Sequence, residues 1–513
     1  MTSTTVMAEE TAVSSRPRIN YSLIAQASAL LAVFIALLAY VQFGTNALAG
    51  NDGYYHIKMG WLISREGLKP GFPWLPQTIL NPDAFYDHHL LYHVYLALFA
   101  AFAPDPLVDG GAGLTLAAKL ASILLPALAF LAVWWLLRGQ GVRYAAVWSV
   151  GLTAVSSAFL YRMSMPRAQS ASLLVLALGL HWLLKGRYRL LLPLGFVYVW
   201  LYNAFPLLLV LGAIYVAAAW LLERRFAWQA VVYPAIGIGL GVIVNPYFPE
   251  NVTFIVNHLL PKIGESATKV GNEWYPYETA TLLRNSGFAL AAFALGIVGI
   301  GWQNKRIDKA TLVVLGTAVF FGYLLFRSRR FVEYFPAFAL IFAALSLAPV
   351  INDWLDGRRP LFHRMTPLFL LLVLAFPLVQ TLPAARDDLA GSKPADQYAA
   401  AALWLRTHSQ PGVHVFQTDW DDFTRLFFYN TDAVYTAGLD PTYTELYDAD
   451  LYDEWVRVTK GQVEQPSDFI RQRYGSAFVF TDLNHDSFLQ QAADDPGLTE
   501  VYRDEYGVIF AVR

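Results

Sequence analysis

The sequence predicts a polytopic α-helical membrane protein with an α/β domain at its C-terminal end. Three observations predict it. The 513 residues are 56% hydrophobic and only 15% charged, with mean hydropathy +0.40, whereas an ordinary soluble domain carries roughly 25% charged residues. Long apolar runs recur between small clusters of Lys and Arg, as in chains threaded through a bilayer. After Thr381 the pattern changes to short strand-like and helix-like stretches, which suit a small α/β domain.

The same composition excludes several function classes. A net charge of -2 leaves no basic surface to neutralise a phosphate backbone, so nucleic acid is not an expected partner. With no cysteine there can be no disulfide, thiolate catalysis or zinc–thiolate site.

In chain order, residues 1–21 form a polar tail whose Arg16 and Arg18 place it on the cytoplasmic side. Leu23 to Phe43 is too long for the apolar core of a signal peptide and lacks a small-residue cleavage pattern, so it reads as a first anchor. The basic clusters Arg138 with Arg143, Lys185 to Arg189, Arg224 with Arg225, Lys305 to Lys309 and Arg358 to Arg364 can all be cytoplasmic at once. That requires spans near 22–45, 113–137, 144–160, 168–184, 188–204, 206–222, 229–246, 286–302, 310–326, 331–350 and 365–383. The count is about eleven, or twelve to thirteen if further apolar runs cross. His88 to Ala103 is expected to lie on the outer leaflet without crossing, because Asp105 and Asp109 follow it with no basic residue before Lys119. The division is then a cytoplasmic tail (1–21), a transmembrane module (22–383) with outer loops at about 46–112 and 246–285, and an extracytoplasmic α/β domain (384–513). Within that domain Val413 to Gln417, Ala477 to Thr481 and Val508 to Val512 read as strands, and Asp396 to Thr407 and Asp468 to Tyr474 as helices. The expected location is the cytoplasmic membrane of a prokaryote, with the C-terminus outside.

The residues able to carry chemistry gather on the outer side of this threading. Asp52, in Asn51-Asp52-Gly53-Tyr54-Tyr55-His56, directly follows the first span. A partly desolvated carboxylate there can act as a general base or a metal ligand, or simply cap the helix that begins beside it. Asp87-His88-His89 and His93 have the side chains of zinc, manganese or iron ligands. Hydrogen-bonded histidines on an interfacial helix would give the same composition.

Arg162 and Arg167, with Arg329 and Arg330, fall outside against the positive-inside trend. A lipid-linked phosphate would compensate them, since the guanidinium fork suits phosphate oxygens. Lipid headgroups or Glu333 are the plainer partners. Gly271-Asn272-Glu273-Trp274-Tyr275-Pro276, preceded by Lys262 and Glu265, sets carboxylates beside aromatic rings. That combination suits a sugar, and also an ordinary interfacial belt.

These motifs resemble the GT-C superfamily of glycosyltransferases that use lipid-linked sugars, with the nearest echo in oligosaccharyltransferase catalytic subunits. Asp52-Gly53-Tyr54-Tyr55-His56 resembles the catalytic Asp motif of their first outer loop, Glu273-Trp274-Tyr275-Pro276 the Glu of a late outer loop, and Asp419-Trp420-Asp421-Asp422 weakly a Trp-Trp-Asp motif. The family's Asp-x-Asp or Asp-x-Glu after an Arg is absent: Arg162 is followed by Gln169-Ser170-Ala171. The resemblance implies inverting sugar transfer from a polyprenyl-phosphate or polyprenyl-pyrophosphate donor, with Asp52 and Glu273 catalytic. Arg162, Arg167, Arg329 and Arg330 would hold the donor phosphate, and Tyr55, His56, Trp274 and Tyr275 would contact substrate. A divalent cation, Mg or Mn, would be held by Asp52, Asp87 and His89, and a metal-independent reaction stays open. The expected partners are the donor, membrane lipids and an acceptor saccharide, lipid or protein. Two other classes compete: a transporter or flippase of a lipid-linked saccharide, and a non-catalytic glycolipid binder.

Overall fold

The computed structural model describes residues 20–263, 271–303, 306–356 and 358–513, with side chains described outside 258–263. The basic residues of the N-terminal tail, together with Lys305 and Glu265, lie outside the described residues, as does the Lys262 side chain.

The membrane module begins with α1 (Tyr21–Gln42), α2 (Asp52–Glu66), α3 (Leu90–Ala100), α4 (Ala112–Gly139), α5 (Ser157–Ser164), α6 (Gln169–Leu184) and α7 (Leu191–Leu201). It continues through α8 (Pro206–Glu223), α9 (Gln229–Ile243), α10 (Glu250–Ile263), α11 (Thr279–Trp302), α12 (Lys309–Arg327), α13 (Phe335–Leu355) and α14 (Pro360–Ala390). Seven of these are long and apolar enough to cross a membrane: α1, α4, α8, α11, α12, α13 and α14. The pair α5 and α6 passes the same test jointly but is bent by 107°. The chain is an integral membrane protein by this measure. α4 and α13 are mostly buried among their neighbours, whereas α1 and α14 present apolar side chains outward, where lipid can cover them.

Local chemistry accounts for the ends. Asn20 accepts from the backbone N–H of Leu23 at the start of α1, Ser156 from Phe159 at α5, and Asp308 from Thr311 at α12. Pro206 stands in the first turn of α8, where its missing N–H costs nothing.

The expected threading needs correction in places. The span expected at 144–160 is not one helix. A short helix (Ala145–Val150), a 3₁₀ turn (Gly151–Thr153) and a Ser156-capped restart break it, because the Ser and Thr of this stretch offer the backbone competing partners. The spans expected at 168–184, 188–204 and 229–246 contain helices of 16, 11 and 15 residues, shorter than the ~20 residues of a standard span. α3, within the run expected to lie on the surface, has only 11 residues.

The C-terminal part forms a five-stranded mixed sheet of order β2-β1-β3-β5-β4. Its strands are β1 (His414–Gln417), β2 (Val434–Tyr435), β3 (Phe478–Asp482), β4 (Leu498–Arg503) and β5 (Gly507–Val512). β1 runs parallel to β2 and β3, and β5 antiparallel to β3 and β4. Val415, Phe416, Val479, Phe480 and Ile509 are fully buried. The strands expected from alternation are there, shifted by a residue. β2 is too short to show alternation, and β4 carries an irregularity between Glu500 and Tyr502 that breaks its period. Asp468 to Tyr474, expected as a helix, is a short helix (Pro466–Phe469) ending in a π turn (Ile470–Tyr474).

Candidate active site

Breaks in the helices build the site. Between α5 and α6, Pro166 cannot donate to the preceding turn and drives Met165 to an extended backbone, φ -70° and ψ 136°. The chain turns sharply there, and Arg162, in the last turn of α5, and Arg167, in the break, both reach one cavity. The N-terminus of α2 comes to the same place. A side chain at Gly53 would put Cβ 2.4 Å from Pro166 Cγ, so only glycine lets the helix start approach this closely. Asn51 occupies the cap position, and Asp52 is the first helical residue. The Asp52 carboxylate makes an ion pair with Arg167 at 3.3 Å instead of capping.

The loop before α11 and the 3₁₀ turn after α12 supply the rest. Glu273 takes Arg330 at 2.6 Å, Arg162 at 2.9 Å and Arg167 at 3.5 Å. Burial alone would raise the Glu273 carboxyl, but Arg330, Arg167 and Arg162 together hold it well below the usual carboxylate range. Glu333, 1% exposed, accepts from Arg162 at 3.0 Å and lies 3.8 Å from Arg330. Arg330 also donates to the Tyr202 hydroxyl at 2.7 Å and stacks over Trp274 at 5.0 Å. Three guanidiniums and two glutamates thus leave one positive charge, which Asp52 balances at the edge.

The 3₁₀ turn and short helix after β1 (Trp420–Asp422 and Phe423–Tyr429) close the other side. Asn51 donates to Asp421 and accepts from Arg425 at 3.1 Å. Arg425, 1% exposed, donates to the carbonyls of Pro394 and Lys393 at 2.6 and 3.2 Å and lies over Tyr54 at 4.2 Å. Burial, then the charges of Asp52 and Asp419, push the Asp421 carboxyl up to about 6. The cavity between these walls measures about 950 Å³, and Asp52, Arg162, Arg167, Glu273, Arg330 and Asp421 all line it.

Tyr55, His56, His89 and Trp274 also line this cavity. Tyr275 and Arg329 do not stand among its lining residues: Arg329 donates to the carbonyls of Tyr275 and Pro276 at 3.3 and 3.2 Å and faces outward. The expected metal set does not assemble. Asp87, 2% exposed, gives one oxygen to His93 at 2.7 Å and the other to the His89 backbone N–H at 3.0 Å. Among the described residues no group of three His, Asp or Glu side chains could hold a metal. Carboxylates already engaged by Arg167 and His93 do not fit one.

Sequence reasoning gave Asn203 no role and Glu333 only that of an alternative partner for arginine. Asn203 lies at the break between α7 and α8, where Tyr202 is extended, φ -169° and ψ 143°. The signal for such a residue is a polar side chain between two apolar runs just before a proline, and that pattern is common.

No protein-family model and no curated protein matches the sequence. Solved structures do. The oligosaccharyltransferase AglB of Archaeoglobus fulgidus matches over 95% of this chain and 74% of its own, with TM-score 0.65 at 15% identity. That enzyme has been solved with an inhibitory peptide and a dolichol-phosphate, and with Zn and sulfate. ArnT of Cupriavidus metallidurans bound to undecaprenyl phosphate matches over 96% of this chain and 98% of its own, with TM-score 0.53 at 15% identity. The arabinofuranosyltransferase AftD from Mycobacteria matches over 95% of this chain and 40% of its own, with TM-score 0.56 at 15% identity. A helical module with broken spans, a site at the breaks and a C-terminal sheet against it together give this chain the GT-C fold of these membrane glycosyltransferases.

Proposed function

We propose that the protein is a membrane glycosyltransferase. It would move a sugar from a polyprenyl-phosphate or polyprenyl-pyrophosphate donor to an acceptor on the extracytoplasmic face. The observation that carries this reading is Arg167, which contacts both Asp52 and Glu273 and so joins a carboxylate to a cluster of fixed positive charge in one cavity. Sugar transfer needs both: a base for the acceptor and cations for the departing phosphate.

In the reaction the acceptor oxygen attacks the anomeric carbon from the face opposite the phosphate. The bond from that carbon to the phosphate oxygen breaks with its electron pair, and the acceptor proton passes to Asp52. Configuration inverts. Arg162, Arg167 and Arg330 receive the charge released on the leaving phosphate. Glu273 acts as a positioning residue, since it holds the three guanidiniums side by side and is itself a weak base there. Asp419, Trp420 and Asp421, from the 3₁₀ turn after β1, would meet the acceptor. Charges gathered at the ends of helices around a single cavity favour a surface reaction over transit through the bilayer.

The test is transfer by purified protein in nanodiscs with radiolabelled polyprenyl-phosphate and polyprenyl-pyrophosphate sugars. Asp52→Asn is expected to lower the rate by about 10²–10⁴-fold, and chelator to leave it unchanged. Full activity in Asp52→Asn would sink the assignment of the base.

A further inference from the structure

His56, His89 and Asn203 line the cavity beside the charged cluster. We infer that His56, His89 and Asn203 form the subsite for the sugar ring of the lipid-linked donor, and that this subsite takes an uncharged ring bearing hydroxyl or amide groups. The inference rests on the proposed glycosyl transfer and assigns the sugar a place that the transfer alone leaves open.

Asn203 is 9% exposed and lines the cavity, yet among the described residues neither its amide oxygen nor its amide nitrogen has a hydrogen-bond partner. His89, also 9% exposed and on the same wall, has an unpartnered Nδ1. Each such group costs about 1–3 kcal/mol when left unsatisfied, so a wall that keeps three of these atoms is built to meet polar groups from outside the chain.

His56 completes it. Its Nδ1 lies 2.8 Å from His93 Nε2, and His93 Nδ1 lies 2.7 Å from the Asp87 carboxylate. A carboxylate only accepts, so His93 must donate from Nδ1. Its Nε2 shares a hydrogen bond with His56 Nδ1. That leaves His56 Nε2 to meet a hydroxyl, which can both donate and accept. Burial, and then the neighbouring histidines and Arg167, hold both His56 and His89 in their neutral forms.

Tyr202 sets the position. Its ring stacks on His89 at 5.4 Å, and its hydroxyl accepts from Arg330 at 2.7 Å. A single side chain therefore spans from the phosphate-binding arginines to the neutral wall, as the bond between phosphate and sugar requires. An ammonium on the ring would be repelled by Arg167, whose charge reaches both His56 and His89.

The experiment is a set of binding titrations with the full chain in nanodiscs. The ligands are bare polyprenyl phosphate, polyprenyl-phosphate hexose, polyprenyl-phosphate amino sugar and a soluble methyl hexoside. The proteins are wild type, Asn203→Ala, His89→Leu and Arg330→Gln. In wild type the hexose is expected to add at least about tenfold to the affinity of the bare lipid phosphate, and the amino sugar to add nothing. Asn203→Ala and His89→Leu should lose that gain and still bind the bare lipid phosphate as wild type does, which also shows that they fold.

Retention of the hexose gain in both variants would overturn the subsite. So would equal losses for sugar-bearing and bare lipid, which would put these residues in the phosphate pocket. A hexoside affinity that needs Asn203 while the donor's does not would overturn the donor assignment. An amino sugar that binds like the hexose would overturn the uncharged ring. Arg330→Gln reads the parent proposal separately: unchanged affinity for the bare lipid phosphate would remove the phosphate pocket, whatever the sugar arms show.

Discussion

Asp52 and Asp421 are two carboxylates on one cavity with opposite surroundings. Asp52 faces Arg167, while Asp421 has the amide of Asn51 as its hydrogen-bond donor and lies among negative charges. The Asp421 carboxyl rises from 3.8 to about 6 on folding, so the folded state binds its proton more tightly than the unfolded chain does. The stability this gives is complete below 3.8 and is lost as pH rises through about 6. Asp421→Asn should therefore flatten the decline in thermal stability over that window, and an unaltered slope would count against the shift. Glu273 has the reverse sign: its pKa is depressed, so it stabilises above 4.5 and this contribution is lost as pH falls through its folded value. Of these residues Asp52, Arg162, Arg167 and Arg330 were legible in the sequence. An Asp beside a span and arginines against the positive-inside trend are unusual for local reasons. Glu333 and Asn203 were not, because what distinguishes them is burial and the presence or absence of partners.

Two helix features place those side chains. The Pro166 break aims Arg162 and Arg167 into the cavity, and Gly53 lets α2 begin against Pro166. Gly53→Ala would push α2 away from the break. We expect a cost of about 1–3 kcal/mol in stability and a loss of transfer activity larger than that cost explains, measured by thermal unfolding and transfer rate on the same preparation. Activity equal to wild type would show that the close approach does not position Asp52. The turn after α12 separates Arg329 from Arg330: the first bonds to loop carbonyls and the second enters the cavity. The sequence Arg327-Ser328-Arg329-Arg330 shows that charge collects there but not which arginine turns inward, because a 3₁₀ turn sets that rotation.

Across the molecule, the ion pairs and Arg425 tie distant segments together. Glu333, after α12, reaches Arg162 in α5, and removing its charge would leave a buried guanidinium short of a partner. Glu333→Gln should cost about 1–3 kcal/mol, since Arg162 keeps Glu273, read as a lower thermal midpoint in nanodiscs. Arg425, in the helix Phe423–Tyr429, joins the C-terminal part to Asn51 and to the carbonyls after α14, so Arg425→Leu should expose the C-terminal part to limited proteolysis while the helical module stays intact. Proteolysis identical to wild type would show that other contacts hold the two together.

The sequence by itself determined the membrane class, the alternation of apolar runs and basic clusters, the strand-bearing C-terminal part and the acidic and basic residues worth watching. Each of these is written in composition or short-range period, which physical chemistry reads locally. Only the tertiary structure decided where helices break, which of two adjacent arginines faces the cavity, that Asp87 pairs with His93, and that the Asn203 amide has no partner among the described residues. Those outcomes depend on side chains that meet across as many as 374 residues of sequence, as Arg425 meets Asn51, and no local pattern encodes a contact that only folding brings about.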